Sequence, residues 1–255
     1  GPVARVYRNT GGAFVDIGAG LTGVQNGSVA WGDYDNDGDL DILLTGYGVG
    51  GGGGPVAKVY RNDGPAAGSG WNFVDSGAGL TGVYASSVAW GDYDNDGDLD
   101  ILLTGYSGDG PVAKLYRNDG GVFVDSGPAD DALTGVNYSS VAWGDYDNDG
   151  DLDILLTGSF GGPVARVYRN TGGAFVDIGA GLTGVQNGSV AWGDYDNDGD
   201  LDILLTGFRA GGPVARVYRN TGGAFVDIGA GLTGVQNGSV AWGDYDNDGD
   251  LDILL

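Results

Sequence analysis

No cysteine, methionine, histidine or glutamate occurs in the 255 residues. Without cysteine there is neither a disulfide nor a thiolate metal site. Without histidine the usual general base near neutral pH and the commonest transition-metal ligand are both missing. Site chemistry is left to carboxylates, hydroxyls and backbone carbonyls. No apolar run approaches the roughly 20 residues that a membrane-spanning helix needs, so membrane insertion is not expected. The opening GPVARVYRN also lacks the charged and then apolar build of a secretory signal. Basic residues are scarce, 11 against 35 acidic ones, for a net charge of -24. Nucleic acid is therefore excluded as a partner, since its binding needs Lys and Arg to displace counterions from phosphates.

What the chain has in abundance is glycine, 55 residues, and repetition. The phrase WGDYDNDGDLDILL returns five times, its first Asp at Asp33, Asp92, Asp145, Asp194 and Asp244, in steps of 59, 53, 49 and 50 residues. One repeat-built domain over 1–255 is expected. Residues 2–46 recur unchanged at 163–207, and 213–255 repeat the same text. Natural repeats drift, so such identity points to recent amplification or deliberate construction.

Each unit reads as four short strands punctuated by Gly, Asn and Asp: VARVYRN, FVDIG, SVAWGD and LDILLTG. No segment sustains the apolar spacing of a helix. LDILL is apolar on both faces and must lie between two layers, as in a blade packed on either side by its neighbours. In SVAWGD the larger Val29 and Trp31 alternate with Ala30 and Gly32, which suits the crowded strand nearest a central axis. The repeated Trp31, Trp90, Trp143, Trp192 and Trp242 are expected to pack between blades. Arg8 and Asn9, with their counterparts in every unit, are expected to hydrogen-bond between blades. The fold expected is all-β: a five-bladed β-propeller of four-stranded antiparallel blades. Residues 2–17 and 240–255 would complete one blade together, closing the ring by pairing N- and C-terminal strands.

All 35 acidic residues are Asp, and 25 of them stand in the five repeated loops. In Asp33-Tyr-Asp35-Asn-Asp37-Gly38-Asp39-Leu-Asp41, side-chain oxygens at positions 1, 3, 5 and 9 can converge on one ion, with the backbone carbonyl of Asp39 at position 7. Such hard oxygen donors suit calcium, which takes six to eight of them in flexible geometry. The same spacing gives Asp92, Asp94, Asp96, Asp98 and Asp100; Asp145, Asp147, Asp149, Asp151 and Asp153; Asp194, Asp196, Asp198, Asp200 and Asp202; and Asp244, Asp246, Asp248, Asp250 and Asp252. About one Ca²⁺ per repeat is expected, lowering the net charge to about -14. The loops are not EF-hands: the twelfth residue from Asp33 is Leu44 in place of the bidentate Glu, and a strand follows in place of a helix.

The DxDxDGxxD loop after an apolar strand, with the later YRN and FVD phrases, resembles the FG-GAP or VCBS repeats of integrin α-subunit propellers, bacterial surface proteins and some fungal lectins. The resemblance covers nearly the whole chain. It implies a β-propeller with calcium held between the first and second strands of each blade, and an extracellular or cell-surface setting. The calcium is expected to be structural and the chain not an enzyme, because catalysis would need an open coordination position with an acid or base, and no group of suitable pKa stands nearby in sequence. Repeats differ after LLTG and after LTGV, on the face expected opposite the calcium loops. There Tyr47, Tyr84, Tyr106, Tyr138, Phe160 and Phe208 are candidates to contact a glycan or surface protein in a lectin-like or adhesion role. The competing expectation is an engineered or amplified scaffold with no selected ligand; oligomerisation is left open.

Overall fold

The computed structural model describes residues 1–48, 53–65, 70–127 and 133–255. Its strands are β1 (Tyr7–Asn9), β2 (Phe14–Asp16), β3 (Val24–Gln25), β4 (Val29–Gly32), β5 (Asp41–Gly48), β6 (Pro55–Pro65), β7 (Trp71–Asp75), β8 (Tyr84–Gly91), β9 (Asp100–Tyr106), β10 (Pro111–Asn118), β11 (Phe123–Asp125), β12 (Asn137–Gly144), β13 (Asp153–Ser159), β14 (Pro163–Asn170), β15 (Phe175–Asp177), β16 (Val190–Gly193), β17 (Asp202–Arg209), β18 (Gly212–Asn220), β19 (Phe225–Asp227), β20 (Ala241–Gly243) and β21 (Asp252–Leu254).

They form antiparallel sheets in plain meander order. β8 to β11, β12 to β15 and β16 to β19 are four-stranded. In the sheet of β5, β6 and β7, the pieces β3 and β4 both pair with β5 along one edge. The DILLTG strand of each full sheet is the most deeply enclosed, with Leu43, Ile101, Leu102, Leu103, Leu155 and Leu204 all at 0% exposure. A strand apolar on both faces is stable only between two layers, and those layers are the adjacent sheets. Leu43 and Val59 of one sheet, for example, cluster with Val88, Ile101 and Leu103 of the next.

The AWG strands of successive sheets lie against one another, as β4 does with β8 and β16 with β20. At their far ends Asn26, Ala85, Tyr138, Asn187 and Asn237, one from each repeat, line a single cavity of about 510 Å³. The inner strands therefore surround one axis, with the outer FVD strands at the rim, and the architecture is a β-propeller. The outer two strands of each unit are tied by a cross-strand ion pair, Arg5–Asp16, Lys58–Asp75, Lys114–Asp125, Arg166–Asp177 and Arg216–Asp227.

Close approach of the inner strands explains the invariant AWG. A side chain at Gly32, Gly91, Gly144 or Gly193 would run into the indole of Trp90, Trp143, Trp192 or Trp242 in the following sheet. Each indole stacks on a tyrosine of the sheet before it: Tyr34 on Trp90, Tyr93 on Trp143, Tyr146 on Trp192 and Tyr195 on Trp242, with centroids 6.3 Å apart. The expected inter-blade packing of the tryptophans is formed at these four joints.

The terminal strands, expected to complete one blade, form two separate two-stranded sheets, β1–β2 and β20–β21. Each half-sheet is seated on its own neighbour. Ala4 and Val6 pack on Ile42, Leu44 and Tyr60, while Trp242 and Ile253 pack on Leu204, Val217 and Val240. Face-to-face stacking positions each half independently, so their edges are not brought together. As a result Trp31 is 53% exposed and Tyr245 80%, against 4% for Tyr34. An apolar cavity of about 320 Å³ opens beside Trp31, Ile42 and Leu44.

Two glycines test this arrangement. Gly91→Ala places a methyl 2.8 Å from ring atoms of Trp143, and is expected to cost about 1–3 kcal/mol as an overpacking substitution. Gly243→Ala meets nothing within 4 Å and should stay within about 0.5 kcal/mol. Equal losses in urea unfolding would mean that the halves join in solution and that Gly243 faces Trp31.

Candidate metal centre

Each acidic loop is shaped first by its own carboxylates accepting backbone N–H groups. Asp33 accepts from Asp37 N (3.1 Å) and Gly38 N (3.0 Å), and Asp37 accepts from Asp39 N at 2.9 Å. Equivalent bonds recur in the other four loops. The tight reversal needs left-handed backbone at two places, supplied by Asn36 (φ 57°) and Gly38 (φ 94°). Asn and Gly are the residues that adopt it at least cost.

The last Asp of the loop anchors it. Asp41 is fully buried, its Oδ2 accepting from Tyr34 N (3.1 Å) and its Oδ1 from Asn62 N (2.7 Å). Asp100, Asp153 and Asp202 make the same pair of bonds, Oδ1 to Asn118, Asn170 and Asn220 and Oδ2 to Tyr93, Tyr146 and Tyr195. In the half-sheet β20–β21, Asp252 keeps only the Tyr245 bond among the described residues. One carboxylate thus joins the inner strand, the enclosed strand and the YRN strand.

Carboxylate oxygens in every loop converge to within 4.8 Å of one another: Asp33, Asp35 and Asp37; Asp92, Asp94 and Asp96; Asp145, Asp147 and Asp153; Asp194, Asp196 and Asp202; Asp244, Asp246 and Asp248. The expected positions 1 and 3 are present in all five sets, with position 5 or position 9 as the third member. Position 9, one of the four side-chain ligand positions expected, joins the converging set only as Asp153 and Asp202, and its oxygens serve as a strand clamp. The position 7 side chain is outside the converging set in every loop. Asp98, Asp151, Asp200 and Asp250 instead accept from Asn36, Asn95, Asn148 and Asn197 of the preceding repeat at 2.8–3.1 Å. Sequence reasoning missed this link between neighbouring loops, although the constant Asn at position 4 was its signal.

The donor set fits a hard cation. Asp35, Asp94, Asp147 and Asp196 each hold a buried Oδ1 with no hydrogen-bond partner, a costly state for a carboxylate unless a cation is beside it. Burial pushes the carboxyl of Asp41 up to about 6, and those of Asp100 and Asp153 up to about 7, with the surrounding Asp charges adding to the effect. Asp35, Asp94 and Asp147 are raised for the same reason, burial first and the neighbouring carboxylates second.

The expected role of the YRN asparagines is met where a preceding sheet stands beside them. Asn118, Asn170 and Asn220 donate to the carbonyls of Tyr34, Tyr93 and Tyr146 in the sheet before, at 2.7–2.8 Å. The arginines instead pair with Asp, and in two patterns. Arg61 and Arg117 hold Asp63 (2.6 Å) and Asp119 (2.9 Å), whereas Arg169 and Arg219 reach Asp147 and Asp149, and Asp196 and Asp198.

The aromatic candidates lie at the opposite ends of the enclosed strands. Tyr84 sits between Tyr47 and Tyr106, ring centroids 5.3 and 5.6 Å away. Tyr138 (49%) and Phe160 (61%) are exposed, Phe208 is half-buried and tied through its backbone to Gln186, and these three do not join the tyrosine row. Ala85 (φ 47°) and Tyr138 (φ 50°) hold left-handed backbone beside it.

A family model described as FG-GAP-like repeat matches residues 96–156, 157–205 and 208–255, more than half of the sequence. The chain belongs to the FG-GAP-like repeat family. No curated protein matches this FG-GAP-like repeat chain. Among solved structures, the crystal structure of a thermostable family-43 glycoside hydrolase is similar over 88% of this chain and 80% of that one, at 12% identity and a TM-score of 0.41. Nothing about activity transfers at that level. Among the described residues no helix is long and apolar enough to cross a membrane.

The buried carboxyls set a pH dependence. Because Asp41, Asp100 and Asp153 titrate near 6–7 when folded and near 4 when unfolded, the metal-free fold binds extra protons between these limits. The stability that these three groups contribute is fully present below about pH 4 and is lost as pH rises through about 7. Calorimetry in chelator should give a higher Tm at pH 5 than at pH 7.5. A Tm rising with pH under chelation would contradict this assignment.

Proposed function

We propose that this FG-GAP-like repeat chain is a calcium-stabilised, non-catalytic recognition module, working outside the cell, where calcium is abundant. The observation that carries the calcium part is the fivefold convergence of Asp carboxylates, four of the loops having a buried carboxylate oxygen with no hydrogen-bond partner that a cation would satisfy. A cation there neutralises repulsion among five Asp in nine residues and links the inner strand to the enclosed strand. Because it binds the folded chain and not the unfolded one, it stabilises by mass action. Extracellular modules of this kind bind at about 0.1–1 mM.

The recognition part rests on the opposite face. The row Tyr47, Tyr84 and Tyr106 offers ring faces and phenol hydroxyls of the kind that stack on and hydrogen-bond a sugar or a protein loop. All five repeats hold left-handed backbone here, on Asn26, Asn187 and Asn237 in three of them; that Ala85 and Tyr138, neither the easy choice, stand there in the other two supports a selected surface. The identity of three repeats favours a second reading, a scaffold amplified or built without a selected ligand.

Two measurements decide between these. Native mass spectrometry with thermal unfolding should count about five Ca²⁺ per chain, and chelation at neutral pH should lower Tm by 10 °C or more, roughly 3–5 kcal/mol for a chain of this size. A Tm indifferent to chelator would leave the loops as acidic turns. A glycan array with a panel of surface proteins at millimolar calcium should give binding that Tyr84→Ala reduces at least tenfold, whereas silence on both would leave the scaffold reading.

A further inference from the structure

The five acidic loops are alike in sequence, but the arginine beside them has two settings. In two of the three units that read YRNT the arginine reaches the loop: Arg169 Nε lies 2.9 Å from Asp147 Oδ2 and its Nη2 lies 3.2 Å from Asp149 Oδ2. Arg219 makes the same pairs with Asp196 and Asp198, at 2.9 and 3.3 Å. In the units that read YRND, the extra Asp takes the guanidinium instead: Arg61 pairs with Asp63 at 2.6 Å and Arg117 with Asp119 at 2.9 Å. Among the described residues no arginine pairs with the loop 244–252.

We infer that the residue after Arg-Asn grades the four loops 33–41, 92–100, 145–153 and 194–202 in calcium affinity, by deciding whether the arginine lies across the position 3 and position 5 carboxylates or is drawn off them. This deepens the calcium reading above and rests on it. The carboxylates that Arg169 engages through Oδ2 are those expected to bind the cation, and Asp147 Oδ1 is the buried oxygen left without a partner. A guanidinium there opposes a divalent ion in two ways. It repels the ion directly, and it already neutralises part of the charge that would attract it. Asp63 and Asp119 weaken that opposition, since Arg61 and Arg117 then act on Asp35 and Asp94 only through space, and they add negative charge of their own. Loops 33–41 and 92–100 are then the tighter sites, and 145–153 and 194–202 the weaker. These ion pairs are partly exposed, with arginine side chains 46–47% accessible. Solvent screening therefore limits the difference to about three- to tenfold in Kd, smaller at high salt.

The switch can be transplanted with the backbone bond of the turn kept, at the loss of the hydroxyl bonds of Thr171 and Thr221 to Ala174 O and Ala224 O and of the Asn72 bond to Asp63. Thr171 and Asp119 occupy equivalent turns, Thr171 N donating to Ala174 O and Asp119 N to Val122 O, both at 2.9 Å. Calcium titration by calorimetry at low ionic strength, with native mass spectrometry to count ions, would compare the parent chain with Thr171→Asp/Thr221→Asp, Asp63→Thr/Asp119→Thr and Arg169→Gln/Arg219→Gln. The expected result is two affinity classes in the parent. The first and third variants should tighten two sites by about three- to tenfold, and the second should weaken two by a similar factor. If the Thr→Asp pair tightens binding while the Arg→Gln pair does not, the added charge acts alone and the arginine switch is overturned. A single class unmoved by all three variants overturns it as well, with calcium binding itself intact. Failure of the parent to bind any calcium would sink the calcium reading and this inference together.

Discussion

Everything in this chain hangs on a buried carboxylate with both oxygens engaged by backbone N–H groups. Asp41, Asp100, Asp153 and Asp202 each tie the start of an acidic loop to the YRN strand two positions outward in the sheet. Charge-assisted bonds to backbone are strong, and in a buried place they are directional enough to set strand order. The cost is equally clear, since burying a charge raises its pKa and makes the fold sensitive to whatever else carries charge nearby. The crowding of Asp in the rest of the loop aggravates that cost. A cation in the same loop relieves it, so the elements that hold the strands together and the elements that would hold the metal belong to one network.

That network continues from sheet to sheet. The tyrosine whose N–H meets the buried Asp stacks on the tryptophan of the next sheet, and in three repeats its carbonyl accepts from the asparagine of that sheet. The loops themselves are linked by the position 4 Asn to the position 7 Asp of the following repeat. Each unit therefore contacts its neighbours through the same set of bonds. Stability of such an array is close to a sum of unit and interface contributions. Where a neighbour is missing, at β1–β2 and β20–β21, the same residues stand exposed: Trp31, Tyr245 and Leu254 have counterparts that are covered elsewhere.

The parts that vary are segregated from this network. The acidic loops lie at one end of the enclosed strands, and the tyrosine row lies at the other, so the surface proposed for recognition can change without touching a metal loop. Within the network, the only variation with a consequence for charge is the residue after Arg-Asn, Thr in some units and Asp in others.

Much of this was legible in the sequence, for physical reasons that act locally. Strand alternation, the doubly apolar LDILL, the repeat of WGDYDNDGDLDILL and the convergence of alternate Asp depend on side-chain period and on residues within nine positions of one another. These determined the all-β repeat architecture and the inner place of the AWG strand, and they put the carboxylates of positions 1 and 3 together in every loop. What the tertiary structure alone decided involves partners distant in sequence: Asp41 clamping Asn62, 21 residues on, Asn118 reaching Tyr34, 84 residues back, and the arginine choosing between an adjacent Asp and the loop. The seam belongs there too. Identical text at both ends could specify that the half-sheets are complementary, but whether they meet depends on the angle at which each sheet stacks on the next, and that angle is a property of the packed side chains around the whole arc.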